Sequence, residues 1–190
     1  GFTCITKSDL ILRDLDLLKK INEKTKVVVQ MTLTTADEDL CRILEPNVCT
    51  TKRRVEVLNI LKEEGVPTVV WLCPILPYIN DTEENITSIL DMCIDADVKG
   101  ILCFGMGLTL RDGNRQYFYK KLDEHFPGLK DKYIKKYGNS YSIPSPNNDR
   151  LMEIFYKKTN SNNIMNRVED IFEYLNDFPV KDNTQQSTLF

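Results

Sequence analysis

Val27-Val28-Val29-Gln30-Met31-Thr32-Leu33 is a continuous, β-branched apolar run, interrupted by polar residues only at Gln30 and Thr32. A strand with one wet face alternates polar with apolar residues, so an unbroken run is what a strand covered on both faces of a parallel sheet requires. Three more runs of strand length, Phe2 to Ile5, Thr68 to Cys73 and Gly100 to Phe104, flank it, each followed by a segment with helical periodicity. The alternation reads as βαβα and predicts an α/β fold with a parallel sheet. Val55, Leu58 and Leu61 share a helical face, Gly65 suits the left-handed position that ends such a helix, and Pro67 opens the next strand. Asp81 and Glu84 have capping-box spacing. Ile86, Ile89, Leu90, Cys93 and Ile94 follow at i, i+3, i+4, i+7 and i+8, which predicts an outer helix.

After Met106 the pattern turns to aromatic-rich helical stretches, Asn114 to Phe126, Leu129 to Tyr137, Asn148 to Lys158 and Ile164 to Asn176. They are broken by Pro127-Gly128 and the polar run 139–149. The organisation predicted is therefore an α/β unit over 1–110, a helical appendage over 111–182 and a flexible tail over 183–190. With 190 residues, 42% of them apolar and 28% charged, the chain can bury a core, which excludes global disorder. No stretch approaches the roughly 18 apolar residues of a membrane-spanning helix, so no membrane partner is expected and a cytoplasmic location is. Six cysteines lie at 4, 41, 49, 73, 93 and 103, spaced too widely for a zinc or cluster motif. Cys4, Cys73 and Cys103 fall within apolar runs, where a thiol serves as a small buried hydrophobe.

Ligands of parallel α/β proteins bind beyond the carboxyl ends of the strands. The residues there are Thr6-Lys7-Ser8-Asp9, Thr32-Leu33-Thr34-Thr35, the stretch Pro74 to Asp81, and Met106-Gly107. A lysine after a strand offers a point charge to a carboxylate or phosphate, and hydroxyls on the next strand can reach a ribose. Taken singly, the same residues equally describe a solvated lysine and helix-capping threonines.

TKSDLILRDLDLL at 6–18, TLTTADEDLCRILEP at 32–46 and PILPYIND at 74–81 occur in an order and spacing that resemble the radical S-adenosylmethionine proteins similar to spore photoproduct lyase, often called DNA repair photolyases. The resemblance runs from Phe2 to about Phe126 and more loosely to the end. It implies part of a (βα)6 partial TIM-type barrel, with about four parallel strands and outer helices, plus the helical appendage. It also implies a parent enzyme in which a CxxxCxxC loop holds a 4Fe-4S cluster. Reductive cleavage of S-adenosylmethionine there yields a 5′-deoxyadenosyl radical that abstracts hydrogen, and the lyase reaction acts on damaged nucleic acid. By matched position, Lys7 would reach the cofactor carboxylate, Thr32 the ribose or amino group, with Ser8 and Thr34 beside them, and Pro74 to Asp81 would shape the barrel mouth. Asp9, Arg13 and Glu45 read equally well as a charged network bracing the loops.

The cluster loop and first strands of that family are missing from this sequence. The chain by itself is accordingly expected to bind no cofactor and catalyse nothing, as the C-terminal part of a larger protein whose N-terminal half-barrel would be its partner. Four strands with helices on one face leave the other face bare, so self-association is expected.

Segment 111–137 carries a net charge of +4 in a chain of −3 overall, with Tyr117, Phe118, Tyr119, Tyr133 and Tyr137 interleaved. The composition suits backbone neutralisation plus base stacking, with Arg115, Lys132, Lys135 and Lys136 as candidate contacts to DNA or another nucleic acid. It equally describes an amphipathic helix pair. A non-catalytic nucleic-acid-binding half-barrel is the competing function. His125 is expected at the surface near a helix end and Trp71 in the core. Gln186, Leu189 and Phe190 resemble the short peptides that dock on a bacterial sliding clamp, and they read equally as an apolar latch.

Overall fold

The computed structural model describes residues 1–179. The tail residues Gln186, Leu189 and Phe190, with the clamp reading they carry, lie outside the described residues. Four parallel strands form one sheet in sequence order: β1 (Phe2–Thr6), β2 (Val27–Thr32), β3 (Thr68–Trp71) and β4 (Gly100–Leu102). The register pairs Phe2 with Val27, Val29 with Thr68 and Val69 with Gly100. All six residues of β2 are buried, the polar Gln30 and Thr32 included. The sheet is open and does not close into a barrel.

One face of the sheet is covered by α1 (Leu15–Lys24), α3 (Thr51–Glu63), α4 (Glu83–Asp95) and α7 (Asn148–Ser161). Val27, Val29, Met31, Val70 and Ile101 meet Leu18, Val57, Leu58, Leu61, Ile86, Ile89, Leu90, Leu151 and Phe155 there in one apolar core. Gly65, at φ +70°, ends the α3 turn in the left-handed region, as the sequence predicts. The α4 cap falls one residue later than the capping-box spacing suggests. Thr82 Oγ1 accepts from Asn85 N at 3.1 Å, because the Asp81 carboxylate is buried and committed to the loop before it. The short helix α2 (Glu38–Leu44) bridges β2 and α3.

The opposite, inner face is not bare. α8 (Val168–Asn176) folds back across it, laying Ile171 and Leu175 on Val28, Val69 and Leu102. The buried Lys26 fixes this helix. Its ammonium donates to the Tyr174 carbonyl and lies 4.2 Å from that ring's centroid. Residues 164–166, expected in that helix, instead extend along β4, where Met165 bridges Gly100 in parallel. The crossing is tight at Gly100, where a Cβ would stand 3.0 Å from the Ile171 side chain.

The segment read as an appendage thus divides. α7 and α8 clad the two faces of the sheet, and α7 is tied to α4 by Arg150 to Glu83 at 2.9 Å and by Lys158 to Asp91. Only α5 (Asn114–His125) and α6 (Leu129–Tyr137) stand apart, with the antiparallel pair β5 (Gly107–Thr109) and β6 (Ser142–Pro144), around a second small core of Leu110, Leu122, Tyr133 and Ile143.

Candidate cofactor site at the carboxyl ends of the strands

Side chains alternate across a strand, so Gln30 and Thr32 share the inner face of β2, and Thr34 continues it beyond the strand end. Leu33, between them, is wholly buried in the outer core. No hydrogen bond engages the Thr32 or Thr34 hydroxyl among the described residues, although both residues are buried. The backbone that carries them is clamped. Asn80 and Asn85 donate to the Thr34 carbonyl at 2.8 and 3.1 Å, and Arg54 donates to the Thr32 carbonyl at 3.0 Å.

Lys7 follows β1, beside Thr32 across the sheet, since β1 and β2 pair in register up to Thr6 and Met31. Its ammonium pairs with Glu45, and its side chain keeps 38% exposure against 12% for the acid. Ser8 has a structural engagement, its hydroxyl oxygen accepting from Leu10 N at 3.2 Å to cap the 3-10 turn Asp9–Asp14. Asp9 is held by Arg53 at 2.9 Å and by the Cys49 thiol. The Arg53 hydrogen bond, then that of Cys49, draws its carboxyl below the usual range. Cys73, one residue past the Leu72 that β3 leads into, has its thiol pushed up by burial and drawn back down by the charge of Lys7.

Arg54 is the residue that sequence reasoning missed. It is fully buried, donates to the carbonyls of Cys49 and Thr32, and pairs with Glu45 at 2.6 Å. Its Nη2 has no hydrogen-bond partner among the described residues. The signal was available, since Arg54, Val57, Leu58 and Leu61 fall at i, i+3, i+4 and i+7, which puts a charge on the core face of α3. Lys7, Glu45, Arg54 and Thr32 therefore form one connected set, with Glu45 ion-paired to both cations and its Oε2 without a hydrogen bond among the described residues.

Deeper on the inner face a polar chain crosses three strands. Trp71 Nε1 donates to Gln30 Oε1 at 2.6 Å, and Gln30 Nε2 to Thr3 Oγ1 at 2.8 Å. Trp71 is thus half-buried on this face rather than enclosed in the core, its ring 5.8 Å from that of the exposed Phe104.

The stretch 74–81 arches over the strand ends. Tyr78 takes a left-handed φ of 65°, held by its N–H donating to Asp81 Oδ1 at 2.6 Å, while Ser145 donates to the other carboxylate oxygen. α6 docks on this loop through the buried Tyr133, whose hydroxyl donates to the Pro77 carbonyl at 2.7 Å. Lys132 lies 3.6 Å from the Tyr78 ring centroid and Lys136 5.6 Å from it. Lys132, Lys135 and Lys136 have no carboxylate partner among the described residues. Arg115 does not belong with them. Its guanidinium donates to the carbonyls of Leu110, Gly138, Asn139 and Ser140 and closes the end of α6. His125, the last residue of α5, is at the surface beside Glu124.

Among the described residues no three His, Cys, Asp or Glu side chains are gathered so as to hold a metal ion. None of the helices is long and apolar enough to cross a membrane among those residues.

No protein-family model matches the chain. It is 28% identical over 149 residues to the uncharacterized protein Rv2578c of Mycobacterium tuberculosis, covering 78% of this chain and 43% of that protein. It is 32% identical over 148 residues to the uncharacterized protein ORF301 of Acidianus two-tailed virus, covering 72% and 48%. The chain spans less than half the length of these curated relatives. Among solved structures, Streptococcus suis SuiB bound to S-adenosylmethionine aligns with a TM-score of 0.41 and 16% identity, over 70% of this chain and 29% of SuiB. SuiB bound to its precursor peptide SuiA gives 0.41 and 18%, over 53% and 21%.

Proposed function

We propose that this chain supplies part of the S-adenosylmethionine cradle of a radical enzyme, acting as a carbon–carbon lyase on damaged nucleic acid in the manner of the spore photoproduct lyase group. The observation that carries the reading is a juxtaposition. The Lys7 ammonium and the unengaged hydroxyls of Thr32 and Thr34 stand at the carboxyl ends of adjacent parallel strands, inside the sequence blocks that resemble that group. Lys7 binds the cofactor carboxylate, a charge-assisted contact, while the threonine hydroxyls take its ribose or amino group. Asn80, Asn85 and Arg54 hold the threonine backbone so that these hydroxyls are already placed before the ligand arrives. When bound, the cofactor supplies hydrogen-abstracting chemistry. The half-buried Trp71 ring, with the exposed Phe104 ring beside it, offers an apolar wall on the inner face. Lys132 and Lys136, beside the Tyr78 loop, and Lys135 on the same helix favour a polyanionic substrate approaching from that side.

The test is a calorimetric titration of the natural full-length gene product with S-adenosylmethionine. Loss of a charge-assisted contact is expected to make Lys7→Ala bind about 10-fold more weakly. Thr32→Val is expected to weaken binding by a smaller factor, and Thr32→Ser to restore it. Equal affinity of wild type and Lys7→Ala would remove the assignment.

A further inference from the structure

We propose that Glu45 is an exchangeable counter-ion, which occupies Lys7 in the empty protein and hands it to the carboxylate of an incoming ligand. This rests on the reading of Lys7 as a carboxylate-binding residue and adds the device that makes its ammonium available. An ammonium already paired with a protein carboxylate binds a ligand anion only if the resident acid can let go cheaply. A carboxylate that is 12% exposed cannot normally do so, because release leaves a buried charge without a partner.

Here Glu45 has a second cation. Arg54 is fully buried, is anchored by the carbonyls of Cys49 and Thr32, and already meets Glu45 Oε2 at 2.6 Å through Nη1. Its Nη2 has no hydrogen-bond partner among the described residues. A guanidinium donates to both oxygens of a carboxylate in a two-pronged pair, and here neither Arg54 Nη2 nor Glu45 Oε2 is hydrogen-bonded among the described residues. Glu45 can therefore draw back from Lys7 and complete its pairing with Arg54, so that neither buried charge is left alone. The asymmetry of exposure agrees with this division, the acid being fixed and Lys7 the end that reaches solvent. Arg54 also holds the Thr32 carbonyl, so the rigid part of the device and the cofactor hydroxyl share one anchor.

The experiment reads Lys7 directly in the full-length gene product, by competitive acetylation with an N-hydroxysuccinimide ester and peptide mass spectrometry, with the exposed Lys20 as internal reference. Two variants are used. Glu45→Gln removes the charge, and Glu45→Asp keeps the charge while shortening the side chain by one methylene, which weakens its reach to Lys7. In both, Lys7 acetylation relative to Lys20 is expected to rise about fivefold, the equivalent of ~1 kcal/mol for a partly exposed ion pair. The S-adenosylmethionine concentration that half-protects Lys7 should fall by a similar factor. S-adenosylmethioninamine, which lacks the carboxylate, should protect in neither variant nor wild type. Protection by L-methionine with none by S-adenosylmethionine would retain the exchange and remove the adenosyl reading. The exchange is overturned by unchanged Lys7 reactivity in Glu45→Asp, by protection that weakens in that variant, or by no protection from any carboxylate.

Discussion

Replacing Arg54 with methionine is expected to lower the unfolding free energy by about 3–5 kcal/mol, the usual cost of removing one partner of a buried ion pair. Methionine fills much of the same space, so the loss comes from polarity. Glu45 would keep only Lys7, and the carbonyls of Thr32 and Cys49 would lose their donor inside the protein. For a chain of this size that corresponds to a fall in Tm of roughly 6–20 °C. Urea unfolding of wild type and variant measures it. Changing Glu45 to leucine in the same chain should recover part of the loss, because an apolar pair can replace a buried ionic one at little net cost. A loss below about 1 kcal/mol would mean that the arginine is not the buried anchor described above.

Phe155→Ala is expected to cost a comparable ~3–5 kcal/mol, the usual loss for an aromatic ring removed from a packed core. Phe155 is fully buried among residues of the sheet and of α3 and α4, although it belongs to a segment whose composition suggests an appendage. The variant should still unfold in one transition, monitored together by far-ultraviolet circular dichroism and Trp71 fluorescence. A helical appendage folding by itself would instead melt separately and leave the Trp71 signal in place.

The strands were readable because their cue is local. The continuous apolar runs at 27–33, 68–73 and 100–104 each contain a strand, and Gly65 ends its helix where a left-handed residue was needed. What could not be read depends on which surfaces meet. Ile171 and Leu175 mark a helical stripe, but a stripe does not say which face of a sheet it will cover, and the inner face was expected to be bare. Met165 looked helical by spacing until pairing with Gly100 gave its backbone an alternative partner. Asp81 has the spacing of a cap, yet the left-handed turn at Tyr78 claims its carboxylate and leaves the capping to Thr82.

The same division holds at the candidate site. The placement of Lys7, Thr32 and Thr34 at or just past strand ends follows from the apolar runs. Arg54 is visible in the sequence only as a charge at a core position of a helix, and its role needs Glu45, nine residues upstream, folded against it. Among the basic residues, Lys132 and Lys136 gather beside the 74–81 loop, whereas the similar-looking Arg115 is consumed by four main-chain carbonyls.

The central claim, that these strand ends cradle S-adenosylmethionine in a radical enzyme, is tested most directly by product release. The full-length gene product, reconstituted with iron and sulfide and supplied with a strong one-electron reductant, is incubated with S-adenosylmethionine, and 5′-deoxyadenosine is quantified by chromatography. The account predicts 5′-deoxyadenosine formation that increases with ultraviolet-irradiated DNA and falls about 10-fold or more in Lys7→Ala at a limiting cofactor concentration. No 5′-deoxyadenosine from the reduced wild-type protein, or formation that Lys7→Ala leaves untouched at that concentration, would contradict it.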